Sequence, residues 1–194
     1  MSKTKKMILS ALFIALGIVL SRFLGFRVVN LSFSFGFVPL MLSAIWLGPK
    51  YSTLIGGLVD LIGALLFPVG SYFVGYTIDS MLNGLIYGII LYEKPGQERS
   101  TKEFIIRLLI ATFIVSVLCN LFLSSLWSYL VYGKAYLVAL SAKLPLEAIR
   151  YPVKIVTILV LAKILTPLKN KYLIQDWDKT VREASFYSTL GSLI

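Results

Sequence analysis

Apolar runs, each about as long as a bilayer is thick, follow one another almost without pause along these 194 residues, and only short polar connectors separate them. A helix needs about 20 largely apolar residues to cross roughly 30 Å of hydrocarbon. Six stretches answer to that reading, at 7–24, 35–47, 51–67, from the 68–70 link to about 92, 104–130 and 144–165, the second of them short. With 58% hydrophobic and 14% charged residues, little is left from which to build a water-facing surface, so the expected class is an all-α integral membrane protein with six transmembrane helices. The first run lacks a small-residue cleavage site and is expected to stay in the mature chain. Residues 1–169 are expected to form one membrane domain and 170–194 a cytoplasmic tail with no assigned role.

The excess of 19 Lys+Arg over 9 Asp+Glu gives a formal charge of +10, but the basic residues sit mostly between apolar runs. Their placement reports topology rather than nucleic-acid binding, and no nucleic-acid partner is expected. Lys3, Lys5, Lys6, Lys50, the 93–103 loop and the tail fall on one side, which sets both termini in the cytoplasm. The connectors at 25–34, 68–70 and 131–142 then face outward, where Arg22, Arg27, Lys134 and Lys143 meet no Asp or Glu. Such a face attracts anions.

With no His and a single Cys, Cys119, the chain has no imidazole base, no Cys/His zinc set and no intrachain disulfide. Neither a metal nor a cofactor is expected, and no enzyme activity. A phosphate-binding loop is absent too: Gly133-Lys134 is followed by Ala135, with Ser128 where its first glycine belongs. Uptake against a gradient would need an ion or a separate motor.

Ionisable groups inside apolar runs cost about 2.5–3.5 kcal/mol each on insertion scales, so they face protein or a watery cavity. Asp60, Asp79, Arg150 and Lys154 are such groups. At 1.5 Å per residue, Asp60, Asp79 and Arg150 come to one level toward the outer end, with Asn83, Tyr76 and Glu147 nearby on the same helices. An internal ion-pair network explains the charges alone. Converging amides and aromatic rings, among them Phe37 and Trp127, add the features of a small-molecule site, although Trp and Tyr also form interfacial belts. Ala11 and Ala15, four apart on the first run, make a strip of small side chains suited to packing another helix.

Several stretches resemble one known family. They are Val38-Pro39-Leu40, Trp46-Leu47-Gly48-Pro49-Lys50-Tyr51, Gly56-Gly57, Asp60-Leu61, Phe67-Pro68-Val69-Gly70-Ser71-Tyr72-Phe73 and Gly84-Leu85-Ile86-Tyr87-Gly88. Together they resemble the substrate-binding S-components of energy-coupling factor (ECF) vitamin transporters, and within that family the chain is most similar to the folate-specific member. The resemblance implies a prokaryotic cell-membrane protein that captures a vitamin from outside under a lid formed by the first connector. It also implies association with a transmembrane coupling subunit through Ala11 and Ala15, two ABC ATPases, and delivery by reorientation of the loaded protein in the bilayer. For folate, the chemistry assigns Asp79 first and Asp60 second to the pterin donor edge, with Asn83 in support. Arg27 and Arg150 take the glutamate carboxylates, and Phe37, Tyr76 and Trp127 stack on the rings. Riboflavin or thiamine as the vitamin, and an ion-coupled secondary carrier using Asp60 and Asp79, are the alternatives. A carboxylate-based membrane enzyme ranks last.

Overall fold

The computed structural model describes residues 3–24, 26–28, 31–68, 72–93, 100–133 and 135–169. Its elements are α1 (Lys3–Arg22), β1 (Phe26–Val28), β2 (Leu31–Phe33), α2 (Phe37–Leu47), α3 (Pro49–Leu66), α4 (Val74–Leu91), α5 (Thr101–Ile114), a π-helical segment (Val115–Leu123), α6 (Ser124–Tyr132) and α7 (Tyr136–Lys169). Three helices, Lys3–Arg22, Val74–Leu91 and Thr101–Val131, are long and apolar enough to cross a membrane. The 11 residues of α2 rise only about 16 Å, which matches the short second run.

The termini of several helices follow from local chemistry. Pro49 opens α3, where its missing N–H is no loss, and Gly48 before it adopts φ +85°, a conformation that strains any side chain. This allows α2 and α3 to reverse direction through a single residue. Gly133, at φ +62°, ends α6 in the left-handed conformation and donates its N–H to the Tyr129 carbonyl at 3.0 Å. Hydroxyls along the apolar helices bond back one turn: Ser10 Oγ to the Lys6 carbonyl (2.8 Å), Thr53 Oγ1 to Pro49 (2.7 Å) and Ser128 Oγ to Ser124 (2.8 Å).

The helical class stands with one addition, and one boundary is corrected. The addition is a two-stranded antiparallel ribbon in the first connector, with Phe26 opposite Phe33, Arg27 opposite Ser32 and Val28 opposite Leu31. Its alternating aromatic, polar and β-branched residues suit a strand, and three residues per strand are too few for a hydropathy window to register. The connector expected to run to 142 is shorter, because α7 already begins at Tyr136 and continues through Pro145 and Pro152 and past Pro167. Each interior proline removes one bond to the carbonyl four residues earlier, but neighbouring helices make such losses tolerable in a membrane bundle. Of the links read from sequence, Val69, Gly70 and the tail 170–194 lie outside the described residues.

Helices α3 and α4 form the most extensive helix pair. A Cβ on Gly56 would stand 2.3 Å from the Ser80 carbonyl oxygen, and one on Gly84 would stand 2.2 Å from that of Ser52. Backbones therefore touch at this crossing, and Ser52 Oγ donates across it to the Gly84 carbonyl at 2.7 Å. The core gathers Met41, Ala44, Tyr87, Leu91, Leu108 and Ile158 from α2, α4, α5 and α7. Large apolar side chains such as Leu12, Leu65, Ile89, Ile106, Phe113 and Val156 stay exposed. In water they would be a liability; on a membrane protein they are the lipid-facing surface. Helix α1 buries only Phe13 and Gly17, with Phe13 edge-on to Trp46 at 5.8 Å.

Candidate functional site

A cavity of about 390 Å³ lies where the C-terminal end of α1, the start of α2, helices α3, α4 and α7, and the π-helical segment converge. Its walls carry a high density of polar groups for a membrane interior, drawn from several elements. Helix α3 contributes Asp60, whose Oδ2 accepts a hydrogen bond from Thr77 Oγ1 of α4 at 2.7 Å. Thr77 is itself 3.0 Å from the Tyr72 hydroxyl, so the carboxylate is aimed by a short chain of hydroxyls. Helix α4 supplies Asn83, whose buried Oδ1 has no hydrogen-bond partner among the described residues. The π-helical segment brings in Val115 and Asn120. Such segments widen a helix locally and recur at functional sites.

Helix α7 places three charges on one face at spacings of three and four residues. Glu147 Oε1 meets Arg150 Nη1 at 3.3 Å, and Glu147 Oε2 meets Lys154 Nζ at 3.2 Å. Glu147 and Lys154 are buried, whereas the Arg150 side chain is 24% exposed, so Arg150 is the more accessible cation of the trio. Counting the ionisable lining residues, Arg22, Arg150 and Lys154 outnumber Asp60 and Glu147 by one positive charge. The arrangement offers acceptors toward α3 and α4 and a cationic excess toward α1 and α7. It suits a ligand with N–H donors at one place and anionic groups at another.

Four of the residues singled out from sequence, Phe37, Asp60, Asn83 and Arg150, line this cavity. Arg27 lies in β1 opposite Ser32, and its side chain is outside the described residues. Asp79, Tyr76 and Trp127 are not among the lining residues and meet in a second cluster between α4, α6 and α7. There Phe73 stands 5.5 Å from Trp127 and 6.1 Å from Tyr76. Asp79 is buried, with Lys143 acting on it as a countercharge. Lys143 Nζ also donates to the Ser124 carbonyl (2.6 Å), Ser124 Oγ (2.7 Å) and Ser128 Oγ (3.0 Å). Ala11 and Ala15 are exposed on α1, on the side away from buried Phe13 and Gly17.

Arg22, Ser80, Tyr87 and Asn120 also line the cavity, although sequence reasoning assigns them to no site, and Glu147 and Lys154 it marks only as charges. Asn120 carries a usable signal, an amide in the middle of an apolar run. Arg22 reads as a connector charge because it ends its helix, and only the path of α1 turns it inward. Among the described residues no group of His, Cys, Asp and Glu could hold a metal ion.

Comparison with known proteins agrees with this architecture. Residues 5–168 match the family model described as ECF transporter, substrate-specific component. The folate transporter FolT of Clostridium novyi (strain NT) is 34% identical over 158 residues, covering 81% of this chain and 88% of that protein. The folate transporter FolT of Leuconostoc mesenteroides subsp. mesenteroides is 34% identical over 134 residues, covering 69% and 68%. Among solved structures, FolT bound with folic acid superposes with a TM-score of 0.71 at 32% identity, over 81% of this chain and 92% of that one. An S component of a bacterial ECF transporter superposes with a TM-score of 0.63 over 86% and 98%; at 23% identity it shows the shared fold alone. The family match runs from the first turn of α1 to the end of α7, and the chain belongs to the family of substrate-specific components of ECF transporters.

Proposed function

We propose that this chain is the folate-binding subunit of an ECF-type importer, taking the vitamin from outside the cell into the cavity between α1, α2, α3, α4 and α7. The observation that carries the reading is the cavity itself. The Asp60 carboxylate and the Asn83 Oδ1, which has no partner among the described residues, share it with an excess of one positive charge, in a chain 34% identical to proteins named as folate transporters. A volume of about 390 Å³ lies within the range of small-molecule sites. Asp60 and Asn83 take the donor edge of the pterin, Phe37 stacks on its ring, and Arg150, with Arg27 from the hairpin, takes the glutamate carboxylates. Asp79, Tyr76 and Trp127 support the wall of the site from the neighbouring cluster. Folate is the ligand, and no further cofactor takes part.

The crossing elements are α1, α2, α3, α4, the continuous α5-to-α6 helix and α7, six in all. Both termini lie in the cytoplasm of a prokaryote. Transport follows from association with a transmembrane coupling subunit along Ala11 and Ala15 and with two ABC ATPases, since this chain carries no phosphate-binding loop. The loaded protein reorients in the bilayer to release folate inside. Titration calorimetry of the purified protein tests the binding step: folic acid binds tightly and riboflavin and thiamine do not. Tight binding of either other vitamin, or ion-driven uptake by the chain alone in proteoliposomes, overturns the reading.

A further inference from the structure

Arg22 is the last residue of α1, a position where a cation is favoured by the helix dipole alone. Three observations go beyond that ordinary role. It lines the cavity and is partly buried there. Its Nε is buried, and among the described residues it has neither a hydrogen-bond partner nor an ion pair to Asp60, which lines the same cavity. The guanidinium also lies across Gly63 of α3: a Cβ there would stand 2.9 Å from Nε and 3.2 Å from Nη2. A guanidinium is a planar fork of five donors that matches a carboxylate in two parallel bonds. Burying one with an unused donor is costly unless a ligand completes it.

We propose that Arg22 is a ligand-binding residue of the cavity, held over Gly63 so that its guanidinium receives a carboxylate of the bound molecule. The assignment rests on the folate reading, in which that group is a carboxylate of the glutamate tail. Arg22 and Arg150 approach from different helices, so a tail with two carboxylates engages one on each. Ligand binding then joins the outer end of α1, which otherwise packs on α3 through Gly17 against Val59, to the wall formed by α7.

The test uses the full chain in detergent and calorimetric titration with two probes, folic acid and its diamide, in which both glutamate carboxyls are neutral. Arg22→Gln weakens folic acid about tenfold or more and leaves the diamide within about twofold. Arg22→Lys, which keeps the charge and loses the fork, falls between. Gly63→Ala leaves Arg22 in the sequence but drives a methyl group into its path, so it reproduces the Arg22→Gln loss, and the double variant adds nothing further. Equal losses for both probes, or unchanged folic acid binding, overturn the assignment while the folate reading stands. Wild-type protein that binds neither probe overturns the folate reading and this assignment with it.

Discussion

Asp60 of α3 accepts a 2.7 Å hydrogen bond from the Thr77 hydroxyl of α4, so the carboxylate that faces the cavity is oriented by the helix most closely packed against its own. Thr77 is not among the residues lining the cavity, so its effect on binding runs through Asp60. Thr77→Val removes the orienting donor at nearly constant volume, and folic acid affinity falls about threefold to thirtyfold. Asp60→Asn, which removes the charge, costs more than about tenfold. Calorimetry on the pair measures both, and a larger loss for Thr77→Val than for Asp60→Asn would reverse these two roles.

Glu147 shares one carboxylate between Arg150 and Lys154, all from α7. Lys154→Met strips the buried half of that arrangement and leaves Glu147 undercompensated. Loss of a partner in a buried pair costs about 3–5 kcal/mol, and the melting temperature in detergent drops accordingly. The double variant Glu147→Gln with Lys154→Met recovers part of that loss, because both buried charges are gone and Arg150, which loses its bond to Glu147, is partly exposed. A double variant no more stable than Lys154→Met would show that Glu147 is not a stranded charge once Lys154 is lost, Arg150 sufficing for it.

The backbone contact at the α3/α4 crossing predicts a sharp contrast between glycines. Gly56→Ala sets a methyl group against the Ser80 carbonyl and destabilises the protein by about 1–3 kcal/mol. Gly133, at φ +62° with nothing within 4 Å of its would-be Cβ, accepts Asn at a cost of about 0.5 kcal/mol or less. Thermal unfolding in one detergent compares the two.

Ala11 and Ala15 are exposed on α1 and are not among the residues lining the cavity. Ala15→Trp therefore leaves folic acid affinity within about twofold while abolishing co-purification with the coupling subunit and folate uptake by cells. Weakened folic acid binding in the isolated variant would assign the strip to internal packing instead.

Hydropathy alone located most of the helices within a few residues, because a backbone in hydrocarbon must satisfy its own hydrogen bonds and a run of about 20 apolar residues has no alternative to helix. The cost of intramembrane charge likewise marked Asp60, Arg150 and Lys154 as inward-facing. The hairpin around Arg27 and the uninterrupted course of α7 through Pro145 and Pro152 escaped, the one too short for a window and the other contrary to the usual meaning of proline. Both depend on packing partners distant in sequence.

Membership of the cavity is a different matter. Asp79 and Asn83 sit one turn apart on α4, yet Asn83 lines the cavity and Asp79 joins the Trp127 and Lys143 cluster. Arg22, which by sequence counts with the outer loops, lies over Gly63 inside. Composition and periodicity determined that this chain is a bundle of membrane helices carrying a few costly polar groups. Only the tertiary structure decided which of those groups share a chamber, since that depends on how far each helix is rotated about its axis, and a rotation is set by contacts such as Ser52 with Gly84 that link residues 32 positions apart.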